Sequence, residues 1–206
     1  MFTYDEKYKF TEQWFDPMIP AWEELFGYHS GEIKNVLEVG CFEGRATIFV
    51  CENLLQEGAN YDIVDTFEGT LDESGMVGAA ERLKEDNFIY NNFTHNISYH
   101  PQINFNIFKG YSQNILPTLV QQDKKYDFIY IDASHRADDT FVDAYYAHKM
   151  LNKGGVLIFD DFGWKDPNAP HVVSSPELGV RMFFTVYDDY YKIVMSGYQL
   201  GAIKIK

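Results

Sequence analysis

Asp132 closes one apolar run, Tyr126–Ile131, and Asp160 and Asp161 close another, Val156–Phe159. If these runs are neighbouring strands of one sheet, the three carboxylates share a rim, where each raises the pKa of the others and repels them. A hard divalent cation such as Mg²⁺ would relieve that conflict. It takes carboxylate oxygens in octahedral geometry and leaves positions for water or a substrate hydroxyl, whose pKa it lowers. His135 stands three residues past Asp132. A neutral imidazole accepts a proton near pH 7, and Asp132 is the other candidate for that step. Plainer readings stand beside these, since a strand-end Asp often caps the next helix, Asp-Asp can be a turn, and a loop His is often merely solvated. His95, His100, His148 and His171 are read as structural.

A second group lies in Val36-Leu37-Glu38-Val39-Gly40-Cys41-Phe42-Glu43-Gly44-Arg45-Ala46-Thr47, which reads as strand, glycine turn and helix start in direct succession. Gly40 permits a sharp turn, and Gly44 permits close approach of a ligand to the amides at the helix start. A dinucleotide site wants G-x-G-x-x-G, and only G-x-x-x-G is present, which disfavours pyrophosphate. Glu38 would place a carboxylate beside the ligand, suited to a cationic amino-acid moiety. Asp65, at the end of the next strand, can accept hydrogen bonds from ribose hydroxyls. Together they describe a cationic nucleoside, whereas the glycine pair alone would also suit an ordinary tight turn.

These residues need a scaffold, and the apolar periodicity supplies one. Trp14–Phe26 reads as a helical cap broken by Pro17 and Pro20, Ile33–Val39 as a strand, Arg45–Gln56 as a helix, Tyr61–Asp65 as a strand and Met76–Asp86 as a helix. Residues 87–100 show no clear period, Ile103–Phe108 alternates as a strand, and residues 112–121 form a short helix. Tyr126–Ile131 is a strand buried on both faces, followed by a helix over Asp138–Leu151 that Asn152-Lys153-Gly154-Gly155 stops before the strand Val156–Phe159. Pro176–Tyr187 is the last helix, and Tyr191–Met195 with Gln199–Ile205 is a hairpin turned at Ser196-Gly197. The expected fold class is α/β: a doubly wound, mostly parallel seven-stranded sheet ending in an antiparallel hairpin, with ligands at the carboxyl ends of the strands.

The 206 residues are 46% hydrophobic and 17% aromatic, enough for one core, so one domain over 1–206 is expected, with 1–32 as its cap. A net charge of -14 without a basic patch argues against nucleic acid and anionic membrane. Cys41 and Cys51 are too few and too close for a disulfide framework or a zinc site. With no signal-peptide pattern and no long apolar window, a cytosolic protein is expected.

The acid-Gly-x-x-x-Gly turn resembles the first motif of the class I S-adenosylmethionine-dependent methyltransferases, and the resemblance covers nearly the whole chain. Within that class, Val64-Asp65-Thr66-Phe67-Glu68-Gly69, Ile131-Asp132-Ala133-Ser134-His135 and Gly154–Asp161 are similar to a subgroup of small-molecule and sugar O-methyltransferases, with Phe67 where many relatives carry Trp. The resemblance implies that Phe42 and Thr47 line the cofactor pocket, that Phe67 borders the ribose, and that Gly110, Tyr111 and Ser112 hold the adenine. Ser112 as a plain helix N-cap is an equal alternative. Metal-dependent catechol and caffeoyl-coenzyme A O-methyltransferases share the Asp132, Asp160, Asp161 pattern, and His135 stands where the catechol enzymes carry a catalytic Lys. The implied activity is Mg²⁺-assisted O-methylation of a small hydroxylated acceptor, a sugar or secondary metabolite. Rival readings are metal-independent N- or O-methylation and a non-catalytic cofactor-binding protein, while a nicotinamide-dependent reductase is disfavoured by the missing glycine. The acceptor would be recognised by the cap, residues 87–100 and the Phe162–Ser175 stretch, which is long enough for a lid. A homo-oligomer is compatible with all of these readings.

Overall fold

The computed structural model describes residues 2–28, 32–69, 71–72, 75–76, 87–165 and 175–206. Its strands are β1 (Asn35–Val39), β2 (Asn60–Asp65), β3 (Leu71–Asp72), β4 (Gly75–Met76), β5 (Asn104–Lys109), β6 (Tyr126–Ile131), β7 (Leu151–Phe159), β8 (Tyr191–Ser196) and β9 (Leu200–Lys204). Seven of them form one sheet in the order β5-β2-β1-β6-β7-β9-β8, and β3 pairs with β4 in a separate ribbon. The first five sheet strands run parallel, and β9 joins both β7 and β8 antiparallel.

Period-two alternation divides the central strands between two apolar layers, as a sheet covered on both faces requires. Val36, Ile63, Phe128, Tyr130, Val156 and Ile158 face a layer made with α1 (Ile19–Tyr28), α2 (Arg45–Asn53) and α3 (Phe88–Ile97). Leu37, Val39, Ile129, Ile131, Leu157 and Phe159 face α4 (Ser112–Gln121), α5 (Ala137–Met150) and α6 (Pro176–Tyr187). The chain winds outward from β1 through β2 to β5, then restarts at β6 on the other side of β1. The crevice at this reversal opens between the carboxyl ends of β1 and β6, where open α/β sheets bind ligands.

Several elements differ from the periodicity reading. Residues 87–100 hold α3, whose buried positions Ile89, Phe93 and Asn96 do keep helical spacing; the pattern is obscured because one of the three is polar. Pro17 and Pro20 do not break the cap. Pro17 opens a short 3-10 turn and Pro20 lies in the first turn of α1, where a missing N–H has no intrahelical partner to lose. The Asn152–Gly155 stretch bulges the start of β7 and does not end α5: Tyr126 pairs with Leu151 and Phe128 with Val156, and Gly154 takes φ +85° within the bulge. Met76 lies in the β3–β4 ribbon, and the rest of the Met76–Asp86 helix expectation lies outside the described residues, as do residues 166–174 and His171. Among the described residues no helix is long and apolar enough to cross a membrane.

Candidate active site

The glycine turn after β1 is held mainly by Asp65. Its Oδ2 accepts the backbone N–H of Cys41 at 2.6 Å and of Phe42 at 3.0 Å, and its Oδ1 accepts that of Phe67 at 2.6 Å. The acid expected to meet a ribose is thus also the post to which the turn is tied. Gly40 takes φ +84°, and a Cβ there would fall 2.0 Å from the Asp132 carbonyl oxygen. That glycine is therefore required by the neighbouring β6 loop as well as by any ligand. Gly44 caps α2 at φ +80°, and a Cβ there would fall 2.9 Å from the Phe93 ring.

Glu38 points into the α2 side and is fully buried. Its Oε2 accepts Thr47 Oγ1 at 2.7 Å and Tyr61 OH at 2.6 Å, while Oε1 has no hydrogen-bond partner. Burial pushes its pKa up to about 7, against the two hydroxyls that favour the anion. An orphaned acceptor oxygen beside the glycine turn fits a cationic ligand group.

Across the crevice, Asp132, Ser134, His135, Thr140, Asp160 and Asp161 line a small pocket. Asp161 sits at φ +52° and its Oδ2 accepts His135 Nε2 at 2.9 Å, while the Trp164 ring packs against the imidazole at 4.2 Å between centroids, tilted by 35°. The buried Tyr130 hydroxyl reaches Asp160 Oδ2 and, at 3.2 Å, Asp132 Oδ2. Gln199 Nε2 donates to that hydroxyl at 3.4 Å, and Trp22 Nε1 fixes the amide by donating to its Oε1 at 2.6 Å. Burial first, then Asp161, raises Asp160 to about 6. Asp132 is raised well above its ordinary value by carboxyl burial and by Asp160 and Asp161; as the residue is open to solvent overall, like-charge crowding is the cause that its position on the rim supports.

The donor chemistry is of the kind a hard divalent cation takes, as three carboxylates crowd one rim and the charges of Asp160 and Asp161 help to raise the pKa of Asp132. Their placement differs from the expected cluster. Tyr130 and His135 hold the carboxylate oxygens, and among the described residues no three His, Cys, Asp or Glu side chains are arranged to hold an ion.

The other expected positions fall as follows. Phe42 and Thr47 flank the turn, Thr47 being buried against Glu38. Phe67 is buried against Tyr90 and Phe93, which makes it core as much as pocket. Gly110 donates its N–H to the Asp65 carbonyl at 2.9 Å and so ties the ends of β5 and β2 together. Tyr111, exposed, occupies the N-cap position of α4, and Ser112 is the first helical residue, which corrects the N-cap reading of Ser112. His100 is buried against the Tyr8 hydroxyl at 2.8 Å, His148 stacks on Tyr187 at 4.0 Å, and His95 bonds the Lys7 carbonyl, all structural roles. Tyr130, Gln199 and Trp22 were not legible as site residues, because nothing in their local patterns shows that strand, hairpin and cap converge. Cys41 and Cys51 are buried and free.

Fold and site together define a class I, Rossmann-like methyltransferase architecture. The family described as "Methyltransferase domain" matches residues 37–162, more than half of the chain. The chain belongs to that family. An O-methyltransferase from Bacillus cereus, solved with S-adenosylhomocysteine, is similar in fold with TM-score 0.60 and 17% identity, over 91% of this chain and 81% of that one. TomG, an O-methyltransferase of tomaymycin synthesis from Streptomyces achromogenes, solved with S-adenosylmethionine, is similar with TM-score 0.62 and 16% identity, over 92% and 80%. No curated protein matches the chain.

Proposed function

We propose that the chain binds S-adenosylmethionine at the glycine turn and methylates a hydroxyl of a small molecule held at the acidic rim. The observation that carries this reading is the contiguity of the two halves: Gly40 abuts the backbone of Asp132, the residue that begins the rim lined also by His135, so that a donor on the turn would lie next to an acceptor at that rim. The bound ligands of the B. cereus and S. achromogenes enzymes support it. When bound, the cofactor supplies an electrophilic methyl group and leaves as S-adenosylhomocysteine. Glu38 offers its orphaned oxygen to the cationic amino-acid end, and Asp65 faces the ribose while holding the turn. Asp161 accepts a hydrogen bond from His135 Nε2 and so orients the imidazole, which is the group assigned to accept the hydroxyl proton as the acceptor oxygen attacks. Trp164 limits rotation of the ring.

Mg²⁺ held by Asp132, Asp160 and Asp161 is the finer form of this reading, supported by the donor set; when bound, it would acidify the acceptor hydroxyl. Calorimetry with S-adenosylhomocysteine, with and without Mg²⁺, followed by an acceptor panel assayed in EDTA and in Mg²⁺, tests both levels. Absence of S-adenosylhomocysteine binding would sink the whole reading. Turnover unaffected by EDTA would remove the metal alone, and transfer only to amines would replace O- by N-methylation.

A further inference from the structure

The outer side of the glycine turn is held by a residue that the mechanism above does not use. Glu43 is 1% exposed although it lies in a loop. Its Oε2 accepts the Thr11 backbone N–H at 2.6 Å, and its Oε1 accepts Thr11 Oγ1 at 3.0 Å and Asn92 Nδ2 at 2.8 Å. The Glu43 carbonyl accepts Asn96 Nδ2 at 2.9 Å, and the same Nδ2 donates to the Lys9 carbonyl. Two residues on, Arg45 makes a bidentate pair with Asp16. The segment before α1, the glycine turn and α3 are therefore joined at one buried carboxylate. Such a carboxylate is worth its desolvation only if its donors stay in place.

We propose that Glu43 is a positioning residue for the cofactor, and that the docking of residues 2–16 onto the turn is thermodynamically coupled to cofactor binding. Asp65 fixes the turn from the sheet side and Glu43 from the solvent side. Release of either lets Gly40 and Gly44, the least restrained residues of the loop, sample conformations that do not bind. Reciprocity follows, because whatever steadies the turn for the ligand is steadied by the ligand. This inference rests on the proposed function, in that the turn must be a cofactor site.

The test uses the full chain and S-adenosylhomocysteine as probe. Glu43→Gln keeps the size but turns one acceptor into a donor facing Thr11 or Asn92. It should weaken binding roughly tenfold to hundredfold in protein that still melts cooperatively, while Glu43→Asp recovers part of the loss. Should Glu43→Gln fail to fold, Thr11→Val, which removes a single hydroxyl from the other side, carries the test with a loss of roughly threefold to tenfold. In the wild type, S-adenosylhomocysteine should slow proteolysis within residues 2–16, and less so in Glu43→Gln. Wild-type affinity in a folded variant, or cleavage of residues 2–16 indifferent to a ligand that does bind, would overturn the coupling. A wild type that does not bind the probe would overturn the proposed function beneath it, and the coupling with it.

Discussion

His135 is constrained on two sides, by the Asp161 carboxylate at 2.9 Å and the Trp164 ring at 4.2 Å. A group so held is suited to proton transfer, because it need not be reoriented in the reaction. His135→Gln should lower turnover on the order of 10² to 10⁴ while leaving S-adenosylhomocysteine affinity within about threefold, as single-turnover kinetics and calorimetry would show. Near wild-type turnover would move the proton step to Asp132. Glu38 makes a prediction of a different kind. Its folded-state pKa of about 7 lies above the ordinary glutamate value, so its contribution to stability is present at low pH and lost as pH rises through about 7. A cationic ligand reverses that preference by favouring the anion, so S-adenosylhomocysteine affinity should rise between pH 5 and pH 7.5. The rise should flatten in Glu38→Gln, and an equally steep rise in that variant would remove Glu38 from ligand binding.

At the scale of elements, the cap reaches the acidic rim through a directed relay. Trp22 Nε1 can only donate, so the Gln199 amide must present Oε1 to it and Nε2 to Tyr130, whose hydroxyl then gives its single proton to an aspartate. Helix α1, the β8–β9 turn and β6 are thereby joined across the sheet. Trp22→Phe removes one donor and strands a buried amide oxygen, which should cost roughly 1–3 kcal/mol by chemical denaturation. Gln199→Leu should lower turnover more than Trp22→Phe does, since it frees the Tyr130 hydroxyl directly. Equal turnover in the two variants would show that the relay supports the fold and not the rim.

For the whole molecule, the distribution of buried acids governs the response to pH. Asp143 on α5 is fully buried with neither carboxylate oxygen hydrogen-bonded, and desolvation raises it to about 7. With Glu38 shifted in the same direction, folding keeps protons that the unfolded chain releases, so stability should fall between about pH 4 and pH 7. Asp143→Asn remains neutral throughout. Its melting temperature should exceed that of the wild type at pH 8 and approach it at pH 5, and a gain that does not vary with pH would contradict the assignment.

The acid-glycine turn, the alternation of strands and helices and the closing hairpin were legible in the sequence, because each is written in local chemistry: Gly40 and Gly44 at a strand end, and Tyr126–Ile131 as an unbroken apolar run. Burial of a run on both faces leaves little choice but a covered parallel sheet, and strand order then brings Asp132 and Asp160–Asp161 to one rim. Helix α3 was hidden because Asn96 occupies an inward position, satisfied by groups from residue 9 and residue 43 that no window along the chain contains. The reason for Gly40 was likewise divided. Its left-handed turn is a local matter, but the 2.0 Å approach of the Asp132 carbonyl to the place of its missing Cβ exists only once β6 lies beside β1. By itself the sequence determined which residues could do chemistry and at which ends of which strands. Only the tertiary structure decided which polar groups satisfy one another, Asp65 with the turn, His135 with Asp161, Glu43 with Thr11, because a buried polar atom is matched by whatever donor the fold brings within 3 Å of it, however distant in the chain.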